Sequence, residues 1–246
     1  MESIRAACIA VLSLLTLLFE GLQSSTTFTF INQCKYTVWA GTLSGAGSIP
    51  LPKTGFELYP NATVVLPATA RWSGRFWGRT GCSTDIAGKF SCATGDCASG
   101  TMSCSGAGAI PPATLAEITL GTNGSPDFYD ISLVDGYNLP MSLIPVGGQG
   151  SNCKPAICSQ NINRMCPTNL QVNGDGGVVA CKSACEAFGD PKYCCTGVYG
   201  NPNSCKPTYF SSLFKSACPS AYSYAFDDLT STFTCVGPSY LLIFCP

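Results

Sequence analysis

Three aspartates, Asp127, Asp130 and Asp135, crowd into the ten residues DFYDISLVDG of a chain in which only 11% of residues are charged. Carboxylates held close together raise one another's pKa, so that one keeps its proton as an acid while a neighbour stays ionised as a base or nucleophile. Glycoside hydrolysis uses that division of labour, with two carboxyl groups flanking an oxocarbenium-like transition state. Few other catalytic chemistries are open to this chain. None of its 246 residues is a histidine, which excludes Ser-His and Cys-His nucleophiles and every His-ligated metal site. Spacing sets a condition on the triplet. Asp130 and Asp135 are five positions apart, so on an unbroken strand they face opposite sides, and both reach one groove only if a bulge or turn re-aims one of them. Asp135 precedes Gly136 in a turn-type pair, and Asp127 at the strand entrance reads as solvated. Glu117 in LAEITL alternates with Ile118 and points away from the apolar side, while Arg75, Trp77 and Arg79 in RFWGR share one face. Asp96, in a Gly-Asp-Cys turn, reads as structural. The aromatics Phe76, Trp77, Phe128 and Tyr129 beside these charges divide between core positions and faces that suit a sugar ring.

The elements that must position these groups are β-strands. From Thr26 to about Arg79 the runs TTFTFIN, YTVWAGTL, ATVVLPA and RWSGRFWGRT are rich in Val, Ile, Thr and aromatics and are punctuated by Pro, Gly and Asn. The pattern returns in AEITL, DFYDISLV, NLPMSLIPV, STFTCV and YLLIFCP, which predicts a sandwich whose first and last segments meet. Two cysteine-dense insertions interrupt it. Residues 82–104 predict a small stapled loop or hairpin. In residues 153–218, Val178, Cys181, Cys185 and Phe188 recur at helical spacing and predict a short helix over 178–188. Adjacent Cys194 and Cys195 cannot easily bond each other and must staple different neighbours.

Residues 1–25 place Arg5 ahead of the apolar run AACIAVLSLLTLLF and the exit EGLQSS, which reads as a secretory signal peptide cleaved after Ser25. No later run approaches the roughly 20 apolar residues of a membrane span. Without Glu2, Arg5 and Glu20, basic and acidic residues balance at 12 each, which argues against nucleic acid or an anionic membrane as partner. Of 17 cysteines, Cys8 leaves with the signal peptide, and the even remainder of 16 reads as eight disulfides of an oxidising compartment, not as a zinc or redox centre. Asn61-Ala62-Thr63 and Asn123-Gly124-Ser125 fit the glycosylation sequon, the second weakened by Pro126. Asn61 is the expected acceptor.

The segment GKFSCATGDCASGTMSC, residues 88–104, follows the pattern Gly-x-Phe-x-Cys-x-Thr-Gly-Asp-Cys with a later Gly and Cys. With the order of the 16 cysteines, STFTC and the terminal IFCP, it resembles the thaumatin-like (pathogenesis-related) proteins of plants from Thr26 to Pro246. Spacing alone leaves about two million ways to pair 16 cysteines. The resemblance implies one: Cys34–Cys245, Cys82–Cys92, Cys97–Cys104, Cys153–Cys235, Cys158–Cys218, Cys166–Cys181, Cys185–Cys194 and Cys195–Cys205. It implies a mainly β fold, a flattened antiparallel β-sandwich of about eleven strands. That core is formed by residues 26–81, 105–152 and 219–246, with a small stapled lobe at 82–104 and a large disulfide-rich lobe at 153–218 that holds the helix.

Members of the family carry a cleft lined by an Arg, a Glu and three Asp, which match Arg75, Glu117, Asp130, Asp135 and Asp227 here, with Asp228 the alternative to Asp227. The resemblance implies a secreted plant defence protein with antifungal activity. It would bind fungal wall β-glucan or another wall polysaccharide through the acidic cleft, or act on the fungal membrane, as a monomer and without cofactor or metal. The alternative is a weak endo-β-1,3-glucanase in which Glu117 is the acid and Asp135 the base or nucleophile. The ending at Cys245-Pro246, without a vacuolar type of extension, points to the extracellular space (apoplast). Eight disulfides in a compact fold are compatible with allergenicity through resistance to digestion.

Overall fold

The computed structural model describes residues 26–122 and 124–246. The signal-peptide reading of residues 1–25 and the sequon at Asn123 lie outside the described residues. Fifteen strands form among the described residues: β1 (Thr27–Asn32), β2 (Val38–Ser44), β3 (Gly55–Leu58), β4 (Thr63–Pro67), β5 (Ser73–Arg79), β6 (Ser83–Thr84), β7 (Phe90–Ser91), β8 (Leu115–Thr119), β9 (Asp127–Ser132), β10 (Met141–Val146), β11 (Ala156–Cys158), β12 (Gln171–Gly174), β13 (Gly177–Cys181), β14 (Phe233–Cys235) and β15 (Ser239–Phe244). A five-stranded sheet, β11-β10-β15-β1-β4, packs on a six-stranded sheet, β14-β9-β8-β5-β2-β3, and the hairpins β6-β7 and β12-β13 stand apart.

Period-two alternation builds the space between the sheets. In TFTFIN of β1, Phe28 and Phe30 are buried while the residues between them are half-exposed. Phe28 meets Phe76 of β5 edge-on at 4.8 Å and Trp72 at 5.1 Å, and Trp72 stacks on Phe76 at 5.1 Å. Burying each of these rings contributes about 2–3 kcal/mol. The other face of β5 carries Trp77 and Arg79, both fully buried. Trp77 packs with Leu115, Ala113 and the Cys97–Cys104 bridge as a second apolar cluster. Arg79 donates to the carbonyls of Trp39, Ala40 and Met102 at 3.2, 3.2 and 2.7 Å. Its guanidinium therefore ties the 96–104 loop to β2, and burial lowers its pKa to about 10. Arg79, on the same face of β5 as Arg75, is thus a structural residue.

Two departures from the sequence reading have physical reasons. The sandwich is antiparallel except at one ladder, where β1 and β15 pair parallel from Phe28 opposite Tyr240 to Asn32 opposite Phe244. The two strands come from opposite ends of the described chain, so no tight turn joins them or dictates their sense. The helix expected over 178–188 is half strand: Val178 to Cys181 belong to β13, paired with β12, and α1 spans only Ala184–Phe188. The β-branched Val178 and Val179 favour the hairpin. Ser183 starts the helix by accepting the Glu186 N–H, and Gly189 ends it in the left-handed region. A second short helix, α2 (Pro191–Cys194), is followed by α3 (Tyr209–Ala217) and by α4 (Asp228–Ser231). Thr208 and Ser211 form a reciprocal cap at the start of α3.

Eight disulfides brace the fold: Cys34–Cys245, Cys82–Cys92, Cys97–Cys104, Cys153–Cys235, Cys158–Cys218, Cys166–Cys181, Cys185–Cys194 and Cys195–Cys205. No helix of the described residues is long and apolar enough to cross a membrane.

Candidate functional site: an acidic groove on the six-stranded sheet

Strand register assembles the site. Arg75 on β5 stands opposite Glu117 on β8, and Glu117 stands opposite Asp130 on β9. Directly opposed residues share a face and are about 5 Å apart at Cβ, so the three form one lateral row across the sheet. The next row, Phe76, Ala116 and Ile131, points the other way and is wholly buried in the core. The charged row therefore lies on the outer face because its neighbours fill the inner one.

Asp135 joins the row by a turn. Strand β9 ends at Ser132, and Gly136, at φ 85°, closes the turn by donating its N–H to the Leu133 carbonyl at 3.0 Å. The chain reversal releases Asp135 from the alternation that would have set it against Asp130. Arg75, Glu117, Asp130 and Asp135 line one groove of about 390 Å³ with Tyr222 and Asp228, within the range of small-ligand sites. The groove's far wall is the segment 219–228. It docks on the end of β9 through the Tyr222 N–H to Ile131 O and the Leu133 N–H to Tyr222 O, both at 2.8 Å.

Asp227 does not line the groove; its neighbour Asp228 does. The Asp227 carboxylate pairs with Lys215 Nζ at 2.9 Å and accepts from the N–H and hydroxyl of Ser223 at 3.0 and 2.8 Å, which turns it toward α3. Asp228 accepts from Tyr222 Oη at 2.8 Å. Asp127, read as solvated, is buried instead. It accepts from the Gly121 N–H at 2.7 Å and from Tyr240 Oη at 2.9 Å, so it links β9 to β15 beneath the sheet. Phe76, Trp77 and Tyr129 are buried and Phe128 is exposed. None of the four lines the groove, whose one aromatic is Tyr222. Asp96 accepts from the N–H groups of Cys92 and Ala98, each at 2.5 Å, within its own stapled loop.

The environment separates the carboxyl groups. Burial first, then Glu117 and Asp228, push Asp130 up to about 8, and its Oδ1 is buried without a hydrogen-bond partner. Glu117 is raised by burial, lowered by Arg75 and raised again by Asp135. Arg75 opposes the rise at Glu117, whereas the charges acting on Asp130 are both carboxylates and add to it. Near neutral pH Asp130 thus gives the groove a carboxylic acid, set beside the Arg75 guanidinium and the carboxyl groups of Glu117, Asp135 and Asp228. Such a set can grip hydroxyl groups through charge-assisted hydrogen bonds or divide acid and base roles between neighbouring carboxyls.

Fold and groove together define a class: a disulfide-braced, two-sheet β protein with an acidic groove on the outer face of the larger sheet. Within that class the chain belongs to the thaumatin family, whose model matches residues 32–246. It is 58% identical over 224 residues to a thaumatin-like protein 1 of Pyrus pyrifolia, covering 90% of this chain and 91% of that one. It is 55% identical over 241 residues to a protein of Prunus avium named glucan endo-1,3-beta-glucosidase, covering 97% and 98%. A laminaripentaose-producing beta-1,3-glucanase solved in complex with laminaritetraose shares the fold at TM-score 0.58 and 12% identity, over 92% of this chain and 99% of that one.

Proposed function

We propose that this is a secreted plant defence protein that binds β-1,3-glucan of fungal walls in the acidic groove. The observation that carries the reading is the row Arg75, Glu117 and Asp130, extended by Asp135 and Asp228 into one open, polar groove. A linear neutral glucan presents hydroxyls and ring edges, which a row of carboxyl groups, one of them protonated, and a guanidinium bind without needing a net charge on the ligand. In this reading the mature chain begins after Ser25, acts as a monomer in the extracellular space, and carries its glycan on Asn61. That residue is exposed in the turn before β4.

The relative named as a glucanase favours a second reading on the same residues, weak endo-β-1,3-glucan hydrolysis. Glu117, raised by burial, gives its proton to the leaving glycosidic oxygen as the C–O bond breaks. Asp135 takes the proton of the water that adds to the anomeric carbon, or attacks that carbon first. Both readings are tested with laminarin, a soluble β-1,3-glucan, by titrating binding and by assaying new reducing ends for wild type, Glu117→Gln and Asp135→Asn. Expected are saturable wild-type binding, slow release of reducing ends, and a fall in that release of about 10²-fold or more in either variant. Binding without release removes the enzyme and leaves the recognition protein. Absence of binding removes both.

A further inference from the structure

Tyr222 is the one aromatic side chain lining the groove, and the surrounding structure fixes it on every side. Its backbone is clamped to β9 by the bonds to Ile131 and Leu133. Its hydroxyl donates to Asp228 Oδ1 at 2.8 Å and also contacts Thr232 Oγ1. The segments that hold it converge on a single cation. Lys215, on α3, donates to Ala221 O at 3.0 Å and Ser231 Oγ at 2.8 Å and pairs with Asp227 Oδ2 at 2.9 Å. An ammonium has three donors, and here all three are used. Ala221 precedes Tyr222. Asp227 binds both the N–H and the hydroxyl of Ser223, which follows it. Ser231 precedes Thr232, which meets the Tyr222 hydroxyl. The ion pair thus fixes both chain neighbours of Tyr222 and the strand entry that faces its hydroxyl, while neither Lys215 nor Asp227 lines the groove.

We propose that Tyr222 is a carbohydrate-contacting residue of the groove, supplying an apolar ring face to a sugar, and that the Lys215–Asp227 pair is its positioning device. The proposal rests on the polysaccharide reading above. A half-buried ring with its hydroxyl already satisfied by the protein offers the ligand its face and edge, and aromatic contacts of this kind are worth about tenfold in affinity. The groove's remaining residues are charged or polar apart from the aliphatic Leu115, Val134 and Ala225, and none of them offers a ring to stack on. Tyr222 would therefore decide whether a pyranose or merely a polyol is held.

The test is laminarihexaose binding by isothermal titration, with thermal melts of each variant as a folding control. Tyr222→Ala is expected to weaken binding about tenfold and Tyr222→Phe by no more than about threefold, since the ring remains. Lys215→Met is expected to weaken binding severalfold by letting the wall move. Lys215→Met/Asp227→Asn removes the uncompensated carboxylate and keeps the variant folded if Lys215→Met alone is unstable. In the Tyr222→Ala background either change should have no further effect on affinity while still lowering Tm. A purely structural pair would instead lower affinity equally in both backgrounds. If wild type binds and Tyr222→Ala binds as well, or if the effects are additive, this proposal is overturned and the groove reading stands. If wild type does not bind, both are overturned.

Discussion

At the scale of single residues, the groove's behaviour turns on where protons sit. A carboxyl like that of Asp130 ordinarily titrates near 3.8, but in the fold it holds its proton to about 8. Between those values the folded chain binds more protons than the unfolded chain. The stabilisation carried by that proton is complete below about pH 4 and is lost as the pH climbs through about 8. Asp130→Asn makes the neutral form permanent. We expect equal Tm for variant and wild type near pH 4 and an advantage of about 5 °C for the variant near pH 8.5. Parallel melts across the whole range would show that Asp130 ionises like a solvated carboxylate. Much of this site was legible in the sequence and some was not. Alternation along DFYDIS places Asp127 on the side of Tyr129 and Ile131, so its burial was readable, although its position after Pro126 suggested a solvated strand entrance. The choice between Asp227 and Asp228 was not readable, because it depends on Lys215, twelve positions away in the sequence and brought close only by α3. Tyr222 carries no local signal at all, being one of two tyrosines in a loop.

At the scale of elements, the turn after β9 is the device that admits Asp135 to the groove. A Cβ on Gly136 would lie 2.5 Å from Pro112 Cβ and 2.8 Å from Cys181 O, on a backbone at φ 85° that side chains avoid. Gly136→Ala is therefore expected to cost about 2 kcal/mol in chemical unfolding and to weaken laminarin binding by displacing Asp135. Lost stability with unchanged binding would remove Asp135 from the ligand site. The strands were the legible elements, because Val, Ile, Thr and aromatic runs alternate with the sandwich interior. The helices were less so. The spacing of Val178, Cys181, Cys185 and Phe188 matches a helix by coincidence, since both cysteines are placed by their disulfide partners, Cys166 and Cys194. The nine-residue α3 has Thr208 as its cap and Phe210, Leu213, Phe214 and Ala217 on one side, a helical pattern that the cysteine-rich surroundings obscure.

At the scale of the whole molecule, the Cys34–Cys245 bridge closes a separation of 211 residues, and the chain-entropy relation assigns it up to about 5 kcal/mol. Replacing both cysteines by serine is expected to lower Tm by roughly 10 °C and to speed amide exchange in β1 and β15 while leaving β5, β8 and β9 protected. Exchange that rises evenly over both sheets would assign the bond to the entire core instead. The sheet order adds a consequence for biosynthesis. The middle strand of the five-stranded sheet is β15, and β1 waits for it: Phe28 is made 212 residues before the Tyr240 it opposes. At ribosomal speeds that interval is roughly 10 to 40 s. Throughout it β1 has only β4 beside it in its own sheet, with the Phe28 and Phe30 stripe turned toward Trp72 and Phe76 of the other layer. The chain in synthesis is thus a half-built sheet with an open centre, and chaperone occupancy of the first strand should set its yield more than the stability of the finished fold.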